Sequence, residues 1–553
     1  MLDLKNLDKE EESTRNTQQP LVTRLARDTE DRENETTLMA NIIGLHLGHD
    51  GSVCLVRNGK LECAIATERI TRIKKDYAFT DDVIDYILNE THLSLDDIDC
   101  VALNHNPTCK NDPLLGNEYF THTFKIKDKE FKSYVVNHHL AHCSSVYYTS
   151  PFNDAYCFSM DCSTHTEIMG EPKANSLIAY GKGNQIFTEY CPNKMEGILY
   201  ADVTERLGLG PALHKAGTTM GLASYGNPFE FDCDLYSDEI KLNSHEYLHQ
   251  LLSRCQNHQF DWETCIQTDE IKYKMNVAAT VQQVLEQVSL KVVDKLESKT
   301  ENLCLSGGSF LNCNANSKIV NQSKFKNFHI YPACGDDGTS VGAALYVSHH
   351  ILDEPRYDYK EKDLCYTGKE YKVNTPDYHQ IAQELSNGKI IGWFQGKSEF
   401  GPRALGNRSI LADPRNAHTR DIINHVVKKR EWFRPFAPVV LEEYYQDWFD
   451  FPIPSPYMLY TAQVKQPEKI PAVTHVDGSA RFQTINEDTN PHYYNVIKAF
   501  YKLTGVPVLL NTSLNGNGQP ILETPKEAID FFKKSHLDMI FINGEEGFYV
   551  KDK

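Results

Sequence analysis

Three histidines fall within five residues in "NHHLAH", Asn137 to His142. On a helix, His138 and His142 stand at i and i+4 and share one face, a spacing at which two imidazoles can hold one metal ion. His139 then points elsewhere, towards packing or substrate, and reads as a bystander. The H-E-x-x-H peptidase pattern is not met, because His139 fills its general-base position. A histidine pair on a helix more often packs than ligates. Carboxylates at the ends of nearby strands, Asp161 in "SMDCS" and Asp336 in "CGDDG", reverse that balance. Two imidazoles with carboxylates suit Fe, Mn or Zn, and geometry rather than sequence selects among them.

Phosphate chemistry is written elsewhere in the chain. The turns "GLHLGHDGS", "LSGGSFLN" and "CGDDGTSVGAA" can each aim backbone N–H groups at a phosphate. In the second, Gly307 and Gly308 close a strand and Asn312 opens a helix, so these residues and Asp161 are the nucleotide-binding candidates. Each turn alone is a weak signal. Their order, strand–hairpin–strand and then "GG" and "GDDG", resembles the actin-like (Hsp70-like) ATPase fold. A basic cluster follows, with Arg403, Arg408 and Arg415 inside thirteen residues and Lys428, Lys429, Arg430 and Arg434 beyond. The chain as a whole is acidic, 57 − 76 = −19. Cations embedded in "GPRALG" and "FRPFAP" therefore read as a phosphate pocket and not as a solvated face. Trp393, Phe400 and Phe436 read as core.

The elements that must position these groups alternate between strand and helix, which argues for α/β architecture. Strands are expected in "IIGLHLG", "SVCLVR", "LECAIATE", "SYVVN", "DAYCFSMD", "NLCLSGG" and "NFHIYPA", with "NGK" as a hairpin turn. Helices are expected in "HLAHCSSVYYTS", Met275–Ser298 and "GTSVGAALYVSHH". No repeat of fixed period is visible. At 553 residues the chain exceeds one ordinary core. Residues 1–38 read as a polar, disordered tail, and Met39 is a candidate functional start. The expected domains are 39–350, a linker over 351–385, and 386–553. The charge disfavours nucleic acid, and no apolar run reaches the ~20 residues of a membrane span. The 15 cysteines lack C-x-x-C spacing and sit in apolar runs, as buried thiols of a cytoplasmic protein do.

The strings "GLHLGHDGS", "ATERITRIKKD", "NHHLAHCSSVYYTSPF", "MGLASYG", "LCLSGGSFLNCNAN", "GDDGTSVGAAL", "GWFQGKSEFGPRALGNRSILADPRN", "KKREWFRPFAP", "HVDGSARFQT" and "PVLLNTSLNGNGQPI" run in order over nearly all of residues 41–553. They resemble the O-carbamoyltransferases of antibiotic and nodulation-factor biosynthesis. The resemblance implies an actin-like N-terminal transfer domain and a YrdC-like α/β C-terminal domain. The latter would make carbamoyl adenylate from carbamoyl phosphate and ATP, with Mg²⁺. It implies His138, His142, Asp161 and Asp336 as ligands of a divalent metal, Fe²⁺ first with Mn or Zn as alternatives. It further implies His49 as general base and Lys74 as an acceptor contact. Arg403, Lys428, Arg434, Arg481, Asn511 and Ser513 would contact carbamoyl phosphate and ATP, with the choice between Lys428 and Lys429 open. The acceptor would be a hydroxyl of a small molecule or glycan, and a homo-oligomer is left open.

Two departures stand out. The family's glycine-rich turn after its strand aspartate is "DCSTHTE" here, with Cys162 and Ser163, and its lysine ahead of "MGLA" gives way to Thr218 and Thr219. They touch the transfer half only, and they are the sole support for a different class, a nucleotide-binding or regulatory relative without transfer. A tRNA-modifying reading is disfavoured by the net charge and the fused second domain. A sugar-kinase reading leaves "FGPRALGNRS" without a role.

Overall fold

The computed structural model describes residues 39–106, 112–114, 117–161, 167–168, 171–172, 176–190, 196–230, 269–371, 374–542 and 547–550. The calls on residues 1–38 and on Cys162 and Ser163 lie outside them. From Ala40 onward the chain packs as one unit.

The first sheet opens with β1 (Asn41–His46), β2 (Ser52–Arg57) and β3 (Lys60–Ala66), an antiparallel meander. Asn58 and Gly59 both take positive φ, the turn geometry that a two-residue hairpin demands. Then β4 (Cys100–His105) adds parallel to β1, β6 (Lys129–Asn137) parallel to β4, and β5 (Tyr119–Ile126) antiparallel at the edge. The order is β3-β2-β1-β4-β6-β5.

After β7 (Asp154–Met160) comes a short ribbon of β8 (Glu167–Ile168) and β9 (Glu171–Pro172). It is followed by β10 (Ser176–Lys182), β11 (Gln185–Tyr190), β12 (Asn302–Ser306) and β13 (Asn327–Ile330). The second sheet runs β11-β10-β7-β12-β13, again an antiparallel meander of three followed by two parallel strands. The same topology thus occurs twice. This is the duplicated α/β architecture of the actin-like fold, although the sequence shows no repeat. Backbone order is conserved between the halves while side chains are not, so periodicity in residue types could not report it.

Strands of both halves lead into helices that meet. Strand β6 passes without a loop into the helix His138–Tyr148, because Asn137 caps it: Oδ1 accepts from His139 N (3.0 Å) and Leu140 N (3.3 Å). From β13 the chain turns through Asp336–Gly338 into the helix Thr339–Leu345. The two helices cross at Gly342, where a Cβ would lie 1.8 Å from Ala141 O and 2.9 Å from Ser145 N. Only glycine permits that approach. Gly342→Ala is expected to destabilise the chain by about 3 kcal/mol or more in urea titrations, since backbone and not a side-chain tip is the obstacle.

The C-terminal part carries a nine-stranded mixed sheet. Its strands are β14 (Ile391–Phe394), β15 (Arg408–Ala412), β16 (Ala437–Leu441), β17 (Phe449–Asp450), β18 (Tyr460–Val464), β19 (Ser479–Ile485), β20 (Val508–Ser513), β21 (Met539–Ile542) and β22 (Gly547–Val550). They stand in the order β17-β18-β19-β16-β20-β15-β14-β21-β22. Trp393, Phe400 and Phe436 are core, with Trp393 stacked on Phe541 at 4.8 Å. Between residues 351 and 386 the described residues include the helices Glu361–Cys365 and Tyr378–Ser386. Arg356 ties this stretch down by donating to the carbonyls of Tyr147, Ser150 and Phe152. Among the described residues no helix is long and apolar enough to cross a membrane.

Candidate metal centre and anion pocket

The crossing helices bring His138 and His142 opposite Asp336, and the end of β7 adds Asp161. His138 Nε2 lies 3.5 Å from Asp161 Oδ2 and 3.7 Å from Asp336 Oδ1. His142 Nε2 lies 3.4 and 3.3 Å from the same two oxygens. One ligand atom from each of the four residues falls within 4.8 Å of the others. All four sequence-derived ligands therefore converge. His139 turns away to Ser159 Oγ (3.2 Å), as a bystander should.

The hydrogen bonds behind the imidazoles say what this cluster lacks. Asn104 Nδ2 donates to Thr339 Oγ1 (2.9 Å), which leaves Asn104 Oδ1 to accept from His138 Nδ1 (2.9 Å) and His46 Nδ1 (3.1 Å). With its proton on Nδ1, His138 presents a lone pair at Nε2 to two carboxylates. Ser306 Oγ reaches both Cys334 O and His142 Nδ1 (3.4 Å each), favouring the same tautomer, which turns the Nε2 lone pair of buried His142 toward the same two carboxylates. Four acceptor atoms face one another in a buried space. Such a group needs a cation or protons at its centre, and the N/O donor set fits a divalent transition metal.

Protons are the alternative filling. Burial lowers the His142 pKa, but hydrogen bonds to Asp161 and Asp336 outweigh it and hold the pKa at about 9. Asp336 is pushed well below the carboxylate range: burial opposes this, and the charge of His138 and the His142 hydrogen bond prevail. His49 is also raised to about 9, first by its hydrogen bond to Asp50 and further by Asp336, with burial opposing. Both histidines are raised above their ordinary 6.5. Their contribution to stability is therefore complete below about pH 6.5 and is lost as pH rises through about 9. With a chelator present, the urea midpoint should fall across that window. With a divalent ion bound, the fall should flatten, because the ion takes the deprotonated imidazoles.

His49 stands at the mouth of this centre, on the turn after β1. Its Nε2 is 3.4 Å from Asp336 Oδ2 and its Nδ1 is 3.3 Å from Asp50 Oδ2. Asp50 in turn pairs with Lys75 Nζ at 2.7 Å. Lys74, the lysine carried over from the sequence resemblance, pairs instead with Glu68 at 2.9 Å. Lys75, not Lys74, thus joins the His49–Asp50 group. Adjacent lysines on an irregular loop point apart, and spacing could not choose between them. Asn104 and His46 were also missed; "ALNHN" and "GLHLGHD" carry no pattern that singles them out.

Gly307 and Gly308 border the same centre. A Cβ on Gly308 would lie 2.6 Å from Asp161 Oδ1, and Gly307 takes φ +97°. The turn therefore exposes backbone beside the carboxylate. Asn312 is otherwise engaged: it caps the helix Cys313–Gln322 by accepting from Ala315 N (3.1 Å) and exchanges hydrogen bonds with Gln282 (2.8 and 2.9 Å). Its side chain has a structural task and is withdrawn from the nucleotide-binding set. Thr218 and Thr219 are buried, and Thr219 Oγ1 bonds Thr204 Oγ1 (2.8 Å).

In the C-terminal part, Arg403, Arg434 and Arg481 gather closely enough to perturb one another. Burial lowers the Arg481 pKa to about 9, and repulsion from Arg403 and Arg434 adds to the effect. Arg434 is lowered by burial, with the neighbouring Glu431 carboxylate opposing the shift and Arg403 adding to it. Arg403 Nη2 donates to Leu311 O (3.4 Å), so this pocket touches the segment that follows Gly308. Buried Arg403 Nε and Arg481 Nε have no hydrogen-bond partner. Mutually repelling, under-satisfied guanidiniums are what an anion site needs.

The remaining candidates are more committed. Lys428 is buried and Lys429 exposed, so Lys428 is the inward lysine. Its Nζ donates to Ser513 O, Ser513 Oγ (3.3 Å), Asn515 O (3.0 Å) and Asn515 Oδ1 (2.7 Å). Asn511 Nδ2 bonds Ala404 O (3.0 Å) and Gln483 Oε1 (3.1 Å), while its buried Oδ1 is unpaired. Arg408 and Arg415 leave the phosphate reading. Arg408 is fully buried, donates to Gln395 O (2.6 Å) and lies over Phe394 at 3.8 Å; Arg415 pairs with Asp413 at 2.6 Å.

Family profiles decide the classification. Carbamoyltransferase N-terminus matches residues 41–134 and 113–345, and Carbamoyltransferase C-terminus matches 382–546. The chain belongs to the carbamoyltransferase family. It is 32% identical to the nodulation protein NolNO of Sinorhizobium fredii, covering 89% of this chain and 78% of that protein. It is 34% identical to the nodulation protein NolO of Bradyrhizobium diazoefficiens (74% and 78%). With the 3'-hydroxymethylcephem-O-carbamoyltransferase of Amycolatopsis lactamdurans it shares 32% identity over 58% of this chain and 62% of that one. Among solved structures, HypF of T. kodakarensis aligns at 11% identity and TM-score 0.34, covering 59% of this chain and 49% of HypF.

Proposed function

We propose that this carbamoyltransferase-family chain is an ATP-dependent O-carbamoyltransferase whose acceptor is a hydroxyl of a small-molecule natural product or glycan. The observation that carries the reading is the continuity of two sites. The Gly307–Gly308 turn borders Asp161 of the metal centre, and Leu311, three residues on, accepts from Arg403 of the anion pocket.

In the pocket, carbamoyl phosphate, ATP and one water give carbamoyl adenylate, pyrophosphate and phosphate. Arg403, Arg434 and Arg481 hold the phosphate groups, and Mg²⁺ accompanies ATP. At the other site, His138, His142, Asp161 and Asp336 would hold a divalent ion, Fe²⁺ by preference, which would supply Lewis acidity at the carbamoyl carbonyl. The acceptor oxygen bonds to the carbamoyl carbon as the bond from that carbon to the phosphate breaks, and the electron pair leaves with AMP. His49 takes the hydroxyl proton. Asp336 and Asp50 both hold a proton on His49 in the metal-free chain. With Asp336 held by a cation, that hold would weaken and the His49 imidazole would act as the base. The compartment is the cytoplasm, in keeping with the nine described cysteines, which are buried and form no disulfide.

The test uses purified chain with ATP, Mg²⁺ and carbamoyl phosphate and no acceptor. Pyrophosphate release together with carbamoyl adenylate by mass spectrometry is the expected result. Neither product from a folded, metal-loaded chain would favour the nucleotide-binding or regulatory reading.

A further inference from the structure

The three pocket arginines are not anchored in the same way. Arg403 and Arg481 rest on the Leu311 carbonyl and the Cys313 side chain of the N-terminal half. Arg434 instead has an acid beside it, Glu431 on its own loop, and that acid is drawn elsewhere. Glu431 Oε1 lies 2.5 Å from Lys215 Nζ, whereas Glu431 Oε2 stands 3.7 Å from Arg434 Nη1 and has no hydrogen-bond partner. An unrestrained Arg–carboxylate pair closes to about 2.7–2.9 Å, often through both oxygens, and 3.7 Å is not a hydrogen bond.

Lys215 comes from the N-terminal half, on the helix Ala212–Ala223, which is firmly docked on the loop carrying Arg434. A Cβ on Gly221 would lie 3.3 Å from Pro435 Cδ, and Tyr225, just past the helix, packs edge-on against Trp432 at 5.2 Å and His475 at 5.3 Å. The lysine therefore meets Glu431 from a fixed platform. Near its first turn the same helix carries His214, which feels the charges of Lys75 and Asp50 beside the metal centre.

We propose that Lys215 is a positioning residue that draws Glu431 away from Arg434, so that the Arg434 guanidinium remains available to a phosphate-bearing ligand. The anion pocket is then completed by a side chain of the transfer half. The inference rests on the assignment of the arginine pocket to phosphate made above. Without the lysine, the Glu431 carboxylate is a side-chain rotation from Arg434 and competes with any phosphate for it. A plain structural tie between helix and loop would behave differently: its loss would not be repaired by also removing the acid.

That difference is the test. Inorganic pyrophosphate is titrated calorimetrically into the full chain and its variants, with a thermal scan of each. Lys215→Met should raise the pyrophosphate Kd by roughly tenfold or more. Glu431→Gln should bind at least as tightly as wild type, Lys215→Arg should stay close to wild type, and Lys215→Met/Glu431→Gln should return to within about twofold of Glu431→Gln. A Lys215→Met chain that binds like wild type would overturn the proposal alone, as would a double variant as weak as Lys215→Met. A folded wild-type chain that does not bind pyrophosphate would overturn the phosphate assignment, and this inference with it.

Discussion

An Arg403→Ala chain should release pyrophosphate from ATP and carbamoyl phosphate at least ~10²–10³ times more slowly than wild type, the loss typical of removing one preorganised donor from developing charge. Its melting temperature should not fall. Arg403 contributes like charge to a site it shares with Arg434 and Arg481, its Nε is buried without a partner, and its Nη2 makes a long hydrogen bond to Leu311 O (3.4 Å). Removing it relieves repulsion and costs little packing. Arg408→Ala, five residues along, is the contrasting case. That guanidinium is fully buried, satisfies the carbonyls of Gln395, Gly396 and Asn407 and covers Phe394, so its loss should cost about 3–5 kcal/mol of stability. A large rate loss with unchanged stability at 403, beside a stability loss at 408, separates ligand-facing from structural cations. Loss of stability at both would return the cluster to a structural role.

The same contrast shows what the sequence could convey. Residue type and spacing brought Arg403 and Arg408 to notice together, since both are cations in a turn-rich string. Only tertiary packing distinguishes an arginine stacked on a phenylalanine from one facing others of its kind. Asn312 is parallel: a polar residue after a glycine pair suits a phosphate or a helix cap, and Gln282, thirty residues away, makes it a cap. The convergence of the four candidate ligands was legible because the spacing of His138 and His142 on one helix is local, and because Asp161 directly follows β7 and Asp336 opens the turn into the facing helix. Its supporting layer was not. Asn104 acts through the hydroxyl of Thr339, more than two hundred residues on, and nothing near either residue records the pairing. The duplicated sheet order escaped for a related reason, since topology is a property of hydrogen-bonded neighbours and not of composition.

His142→Ala should produce the opposite division of activities. Pyrophosphate release is expected within about threefold of wild type, while carbamoyl transfer to an acceptor falls by ~10³ or more and bound metal drops well below one ion per chain. His142 is fully buried, and its Nε2 is the nitrogen nearest to both carboxylates, at 3.3 and 3.4 Å. Deleting it removes a donor and leaves Asp161 and Asp336 facing each other with one imidazole between them. The metal-free variant should therefore unfold more readily at neutral pH. Asp336→Asn serves as the second variant, since it keeps the shape of the site, lowers its negative charge and should also uncouple transfer from adenylate formation. Neither substitution reaches the arginine pocket directly, so adenylate should accumulate in both. Equal loss of both half-reactions in folded His142→Ala and Asp336→Asn chains would mean that one site performs both steps, and the division of labour between helix crossing and arginine pocket would be wrong.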